Sequence, residues 1–327
     1  MTLRAGIETA RLRALMLKQA RGFLGDREIL EVDVPFLSEA AVSDPNIESI
    51  EARVNVGGNS VHYLHTSPEY AMKKLLAAGF PDIFFLGRVF RDGEAGHRHQ
   101  PEFTLAEWYR LGFERVDIMR ETEDFLANLL GGCTADRDAD RISYVDLFNR
   151  YCDLDFRHAS ADDLADLAGA ASSLRSALGR DRDAWLDLLM ATRITPCLPA
   201  DRLTTVYHYP KSQAALARLA PDDESVAERF EIYLGDVELA NGYVELTEGR
   251  ELRQRFAADQ AQRRDLGRAE RPLDEDFMRC HDDGLPACAG VAVGFDRLVM
   301  LRAGVTDIRQ VYHFPFAEPR GEQHSAE

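Results

Sequence analysis

The chain has 327 residues, 45% of them apolar, and carries a formal charge of −17 at pH 7. That is enough chain and enough apolar content to bury a large core, which excludes a disordered class. The acid excess argues against general nucleic-acid binding, because counterion release needs surface Lys and Arg. The cysteines, Cys133, Cys152, Cys197, Cys280 and Cys288, are odd in number and show no CxxC pair, so neither a disulfide framework nor a structural zinc site is expected. No run approaches the roughly 18 apolar residues of a membrane span, and the N-terminus has no uninterrupted apolar leader core, so a soluble, cytoplasmic protein is expected.

In chain order, the first element is an amphipathic helix around Glu8–Leu24, which runs into Ile29–Leu37 (ILEVDVPFL), containing Pro35. The segment His65–Gly79 (HTSPEYAMKKLLAAG) brings Ser67, Pro68 and Glu69. Then come two arms, Ile83–Arg91 and Glu102–Arg110, rich in β-branched and aromatic residues and joined by a segment of loop chemistry closed by Pro101; they predict an antiparallel hairpin. Strand alternation puts Phe103, Leu105, Glu107 and Tyr109 on one face and Glu102, Thr104, Ala106 and Trp108 on the other. A carboxylate in such an apolar run requires a partner, since a buried unpaired charge costs several kcal/mol or neutralises. A cationic ligand, internal pairing with Arg88 or Arg91, and a solvated face all remain open. His97 and His99 flank Arg98 in the loop; two histidines without a third ligand suit phosphate contact better than a metal.

A helix is expected at Arg115–Leu130, ended by Gly131–Gly132, followed by a charged link and a helix at Tyr144–Tyr151. Residues 158–200 read as an inserted helical subdomain that packs on the rest. A strand, Leu203–Tyr209, leads to Pro210 and Ser212–Gln213. In Glu231–Glu248 (EIYLGDVELANGYVELTE) the pair Gly235–Asp236 forms a turn that brings Glu231 and Glu238 together. Like carboxylates held close repel unless a cation lies between them, and Mg²⁺ takes such ligands together with phosphates; two solvated glutamates are the alternative. Glu238 and Glu245 differ by an odd number, so sharing a face requires a bulge, expected near Asn241–Gly242. Helices follow at Glu248–Leu266 and Leu273–Asp283. Ala289–Gly304 (AGVAVGFDRLVMLRAG) reads as a strand turning at Gly294 into a helix whose first turn carries Asp296 and Arg297, an arrangement that favours an anion. The tail 317–327 is polar and expected to be disordered.

The hairpin with Arg91 and the strand–Gly–helix with Arg297 resemble motifs 2 and 3 of the class II aminoacyl-tRNA synthetases, and the first helix with Pro35 resembles motif 1. HTSPEYAMKKLLAAG, FRDGEAGHRHQPEFTLAEWY, ELANGYVELTE and GVAVGFDRLVML follow the lysyl-tRNA synthetase pattern in order, across residues 5 to 315. Only a handful of residues precede the first helix, where lysyl-tRNA synthetases carry an anticodon-binding domain. The chain thus resembles the stand-alone paralogues that attach lysine or β-lysine to elongation factor P.

The resemblance implies an α+β fold, an antiparallel sheet of about six strands flanked by helices, in a single catalytic domain, 1–316, with the insertion at 158–200. It implies ATP as co-substrate, Mg²⁺, elongation factor P as protein partner, lysine or (R)-β-lysine as small-molecule substrate, no tRNA acceptor, no membrane, and a homodimer through motif 1. Arg91 and Arg297 would be catalytic, Arg91 clamping the carboxylate and α-phosphate. Glu94, Arg98, His99, Gln100, Phe103, Glu238, Leu239 and Gly294 would join them around ATP, with Phe103 stacked on adenine. Ser67, Pro68, Glu69, Glu107, Tyr109, Asn241 and Glu245 would hold the amino acid, and Glu231 and Glu238 the metal. Carboxylates Glu69, Glu107 and Glu245 in one pocket point to a diamino acid.

Three positions depart from that pattern. Gly93 stands where these families place a Glu that contacts ATP, with Glu94 one residue later; Gln100 replaces Asn before Pro-Glu-Phe; and Ala292 replaces a motif 3 glycine, a methyl group that reshapes a packed pocket and could favour β-lysine. The other readings are a lysine-activating enzyme with a tRNA acceptor and a non-catalytic sensor of amino acid or nucleotide. Gly93 favours the sensor, and the complete set Arg91, Glu231, Glu238 and Arg297 opposes it.

Overall fold

A computed structural model describes residues 4–55, 60–134 and 138–316; the tail expectation at 317–327 lies outside them. Helix α1 (Ile7–Gly25) buries Met16, Ala20 and Leu24, one residue per turn along a single stripe. The segment 29–37 forms strand only in part. It supplies β1 (Leu30–Glu31) and β2 (Leu37–Ser38), with Pro35, which lacks an N–H for a ladder, between them. Strand β2 joins β3 (Glu51–Val54) and β4 (Ser60–Leu64) in a small antiparallel sheet that the sequence did not announce. Helix α2 (Glu69–Ala77) leads to the hairpin of β5 (Ile83–Phe90) and β6 (Glu102–Leu111), paired from Ile83↔Tyr109 to Phe90↔Glu102.

Helix α3 (Arg115–Leu130) opens with a reciprocal capping box between Glu114 and Asp117 and closes at Gly131, whose φ of 56° suits glycine. Strand β7 (Asp140–Ser143) and helix α4 (Tyr144–Cys152) follow. The insertion holds three short helices, α5 (Ala161–Leu167), α6 (Ser172–Leu178) and α7 (Arg182–Leu189), and then a π-helical turn at Met190–Ile194. Trp185, Leu186, Leu189 and Leu164 pack with Tyr144, Phe148 and Phe156 into a second core, distinct from that around Trp108 and Phe125. The chain returns as β8 (Leu203–Pro210), β9 (Leu219–Ala220), β10 (Asp223–Leu234) and β11 (Val237–Val244), then α8 (Gly249–Asp265), α9 (Glu275–Asp283), β12 (Cys288–Gly294) and α10 (Phe295–Arg302).

The main sheet runs β1-β5-β6-β12-β11-β10-β8-β7, with β9 attached to β10. From β5 to β8 its neighbours are antiparallel, which gives the six strands expected; β1 and β7 extend it in parallel at its two edges. Ala106 and Trp108 face α1 and α3 in the largest core, while Leu105 and Tyr109 lie in the cluster with α2, so the β6 alternation holds as read. This is the expected α+β architecture, with a large, mainly antiparallel sheet flanked by helices.

The bulge in β11 sits earlier than expected. Ile232 faces Ala240 but Tyr233 faces Glu238, so the extra residue is Leu239, and the ladder is regular through Asn241–Gly242. Gly242 instead pairs regularly with Phe230 and Val291, and a Cβ there would strike the Phe230 ring and the Gly290 carbonyl. The displaced residue still reverses parity, so Glu238, Asn241, Tyr243 and Glu245 share one face. That face forms the floor of a cleft.

Candidate active site

The inner end of the cleft is built by α2, β6, β11 and β12. Pro68 precedes the first turn of α2, and the Ser67 hydroxyl accepts the Glu69 N–H at 3.0 Å while donating to Glu107 Oε2 at 2.8 Å. Tyr109 donates its hydroxyl to Glu107 Oε1 at 2.7 Å. Arg88 pairs instead with Glu102 on the opposite face, at 3.4 Å, and Arg91 with Glu94, at 3.7 Å, so both internal partners considered for Glu107 are engaged elsewhere. Glu107 is 2% exposed, and burial together with the charge of Glu69 pushes its pKa up to about 7. Burial does the same for Glu245, to about 8, although Lys73 pulls it back. Burial and the Glu107 carboxylate raise the Tyr109 phenol well above its ordinary value, so it remains a donor.

One member of this pocket was absent from the sequence reading. Lys73, fully buried, puts its ammonium 2.6 Å from both Glu69 Oε1 and Glu245 Oε2. Contact with Glu245 Oε2 is close in distance but not aligned as a hydrogen bond. Burial alone would lower the Lys73 pKa; the charges of Glu245 and Glu69 override it and hold the amine protonated. The inference from three carboxylates to a diamino acid therefore needs correcting by one internal positive charge. Its sequence signal was the Glu69–Lys73 spacing of one helical turn. Gly290 on β12 was also missed: a Cβ there would strike the Tyr109 ring and come within 2.7 Å of Glu245 Oε1. Ala292 lines the same cleft, in register with Glu107 and Asn241.

The outer end is cationic. Arg91, just beyond β5, lies 5.1 Å from the centre of the Phe103 ring and 3.7 Å from Glu94. Arg98 is anchored by the β10–β11 turn, donating to the Asp236 carbonyl at 2.7 Å and its carboxylate at 2.6 Å. Arg297, in the first turn of α10, donates to the Glu238 carbonyl at 2.8 Å and lies 2.8 Å from His99 Nε2. Burial and then the Arg297 charge lower the His99 pKa, which favours a neutral ring accepting from the guanidinium. His97 departs from the phosphate expectation: it is 76% exposed and faces Asp307 at 3.6 Å. Gln100 is buried, its amide donating to the His99 carbonyl and accepting from the Phe316 N–H. Gly93 has φ of +75°, a backbone state that a Glu would occupy with strain, and Glu94 instead lines the cleft. Gly294 precedes α10 and lines the cleft beside Arg297.

Strands β10 and β11 supply the acidic patch between the two ends. Glu231 is 7% exposed; its Oε1 accepts from Arg229 at 2.6 Å, and its Oε2 accepts from the hydroxyls of Tyr209, at 2.6 Å, and Tyr233. Glu238 keeps 40% of its side chain exposed, with Arg297 at 3.6 Å, and burial followed by the Glu231 charge raises its pKa. As a donor set for Mg²⁺ the open Glu238 carboxylate fits, because that ion commonly takes one or two protein carboxylates and fills its shell with phosphates and water. Glu231 has one lone-pair direction left after its three donors, and stands as the second acid of the patch. Leu239 turns its side chain into the core, so only its bulged backbone is available to the cleft. Asn241 accepts from Arg229 at 3.2 Å and donates to the Tyr243 hydroxyl at 3.2 Å.

The insertion does more than pack. Asp181, Asp183, Asp187 and Met190 line the cleft, and Asp183 and Asp187 accept from Ser212 at 2.7 Å and from the Gln213 amide at 2.9 Å. Asp296 is structural: buried, it accepts from the Thr104 N–H, Tyr312 and Arg13, and so ties α10 to β6 and α1.

Comparison with known proteins agrees with this geometry. Residues 5–318 match the family model for class II tRNA synthetases (D, K and N). A Proteus mirabilis protein named elongation factor P–(R)-beta-lysine ligase is 42% identical over 315 residues, covering 95% of this chain and 96% of that protein. Proteins of the same name from Hamiltonella defensa, with 93% of each chain covered, and Photorhabdus laumondii, with 95% of each covered, are also 42% identical. On the extent of both matches, the chain belongs to the class II tRNA synthetase family of the D, K and N type.

Proposed function

We propose that the chain is an ATP-dependent, AMP-forming ligase that activates lysine or (R)-β-lysine and attaches it to a lysine side chain of elongation factor P, working in the cytoplasm. The observation that carries this reading is one cleft with two chemically opposite ends: buried carboxylates Glu69, Glu107 and Glu245 inside, and Arg91, Arg98 and Arg297 outside. A diamino acid bridges them, its ammonium groups among the carboxylates and its carboxylate toward Arg91. The relatives' names supply the acceptor.

In the first step the substrate carboxylate oxygen attacks the α-phosphorus of ATP, the bond to the β-phosphate oxygen breaks, and pyrophosphate leaves. Arg91 holds the carboxylate and the α-phosphate with paired charge-assisted hydrogen bonds, while Arg98, His99 and Arg297 hold the outer phosphates; preorganised positive charge of this kind lowers the barrier. Phe103 offers the adenine a ring face. Mg²⁺, when bound at Glu238 with Glu231 beside it, would neutralise phosphate charge. In the second step the acceptor amine attacks the acyl carbon, AMP leaves, and an amide forms as the amine loses its proton. Ala292, opposite Glu107, is read as favouring the β-isomer, and Glu94 as standing in for the motif 2 acid displaced by Gly93.

A homodimer fits the exposed apolar residues Ile7, Leu15, Leu30, Phe36, Leu37 and Val61, which belong to α1, β1 and the small sheet or flank them. Residues 1–316 are read as one catalytic domain carrying the insertion. The deciding experiment is the intact mass of elongation factor P after incubation with the chain, ATP and either isomer, with tRNA as a parallel acceptor. A lysyl-sized gain on the protein without tRNA charging is expected. Charging of tRNA alone would move the acceptor assignment, and absence of amino-acid-dependent pyrophosphate exchange would leave a sensor.

A further inference from the structure

A lysine with no exposed surface, wedged between two carboxylates of a substrate pocket, has a large effect on that pocket's charge, because screening by solvent is absent. Nothing in the proposed chemistry uses Lys73: its ammonium touches Glu69 and Glu245 and its nearest aromatic neighbour is Tyr109, 5.9 Å from the ring centre. A purely structural pair would need one carboxylate. Here the second partner, Glu245, stands 1% exposed on the strand face that floors the cleft, and Glu107 stands beside it with two neutral hydroxyls, of Ser67 and Tyr109, for hydrogen-bond partners. With all three carboxyls ionised, as a bound dication would hold them, the three carboxylates and the one ammonium leave the pocket two negative charges.

We propose that Lys73 is a positioning residue that sets the charge of the ligand-bound amino-acid pocket at two negative charges, the complement of a substrate with two ammonium groups. The inference deepens the ligase reading and rests on it. Without Lys73 the pocket would hold three like charges around a doubly positive group, and one carboxyl would take up a proton instead. With only one ammonium group on the ligand, one of the carboxylates that Lys73 leaves unbalanced would stay uncompensated, so the pocket disfavours amino acids with uncharged side chains. The groups facing this centre are Glu69 from α2, Glu107 and Tyr109 from β6, Glu245 and Tyr243 from β11, Cys288 from β12 and His281 from α9. Of these, Tyr109, Tyr243 and Cys288 have their pKa values raised and His281 has its lowered, by burial first in every case, which keeps them neutral near pH 7.

The test is ATP–pyrophosphate exchange driven by lysine or (R)-β-lysine, over a range of pH, with four proteins: the wild type, Lys73→Met, Glu245→Gln and the double variant. Lys73→Met should raise the amino-acid KM at least tenfold at pH 7, leave the ATP KM unchanged, and move the kcat/KM profile for the amino acid to higher pH, since losing a cation makes the remaining carboxylates harder to ionise. In the Glu245→Gln background the sign should reverse. There Lys73 leaves the pocket with a single negative charge, and Lys73→Met restores two, so the double variant should bind the amino acid more tightly than Glu245→Gln alone. An equal loss from Lys73→Met in both backgrounds, or a pH profile that does not move, would overturn the proposal in favour of simple packing. Should Lys73→Met fail to fold with its two carboxylates unpaired, the double variant against Glu245→Gln decides alone, because replacing both members of a buried ion pair is tolerated far better than replacing one. A wild type that shows no exchange with either diamino acid would overturn the ligase reading itself, and the inference with it.

Discussion

The two ends of the cleft solve charge recognition in different ways. At the outer end Arg91, Arg98 and Arg297 keep 27%, 39% and 19% of their side chains exposed, and each is steered by a backbone carbonyl or a turn from another part of the chain. At the inner end Glu107, Glu245 and Lys73 are sealed at 2% exposure or less and steer one another. Cations near water can wait for a highly charged ligand at little cost, whereas buried carboxylates must be neutralised by protons, by Lys73 or by substrate. The outer end is therefore expected to be insensitive to pH near neutrality and the inner end to respond to it.

The largest expected break in that comparison comes from the outer end. Arg91→Ala should lower kcat for pyrophosphate exchange by about 10²–10³-fold, the usual cost of removing one preorganised donor from developing charge. A loss confined to KM would mean that Arg91 only binds. Glu245→Gln comes next, raising the amino-acid KM by about 10–100-fold, the range for a charge-assisted hydrogen bond, with the ATP KM unchanged; a matching rise for ATP would show that the two ends are not separable. In the wild type, lowering the pH below about 8, where Glu245 and then Glu107 protonate, should raise the amino-acid KM by up to about tenfold per unit. Calorimetric titration of lysine across that range would sharpen the contrast, and a flat profile would break it.

The same carboxyls affect stability, with a defined sign. A carboxyl whose pKa is higher in the folded protein than in the unfolded chain binds extra protons on folding, so its stabilising contribution is present at low pH and is lost as pH rises through the folded value, here about 7 for Glu107 and about 8 for Glu245. A bound diammonium ligand reverses that loss. Saturating lysine should accordingly raise the melting temperature more at pH 8 than at pH 6. The smallest effect is expected from Glu94→Gln: an acid 29% exposed and 3.7 Å from Arg91 should change the ATP KM by only about threefold, as partly screened pairs do. A much larger change would give Glu94 a direct part in holding the nucleotide.

Much of the frame was legible because it rests on local pattern. The hairpin around Arg91, helix α3 with its Gly131 stop, and the turn at Gly235–Asp236 follow from alternation, helical spacing and turn residues. The strands with least pattern of their own escaped: β3 and β4 gain their order from pairing with each other and with β2, and β1 and β7 are short edges held by neighbours distant in sequence. Parity along β11 shows the boundary clearly. That Glu238 and Glu245 need a bulge to share a face is a property of strand periodicity, but its place at Leu239 shows only in the pairing of β11 with β10.

By itself, the sequence determined which chemistry was on offer: arginines beside a loop and a helix start, glutamates on strands, and a Glu69–Lys73 spacing that pairs them on one helical turn. Only the tertiary structure decided which charges meet. Lys73 reaches Glu245 because α2 packs over the sheet where Gly290 leaves room, Glu231 finds Arg229 and two tyrosines, and the insertion turns Asp183 and Asp187 into the cleft. Electrostatic energy in a low-dielectric interior depends on distance and burial, and neither is written in the order of residues along a chain.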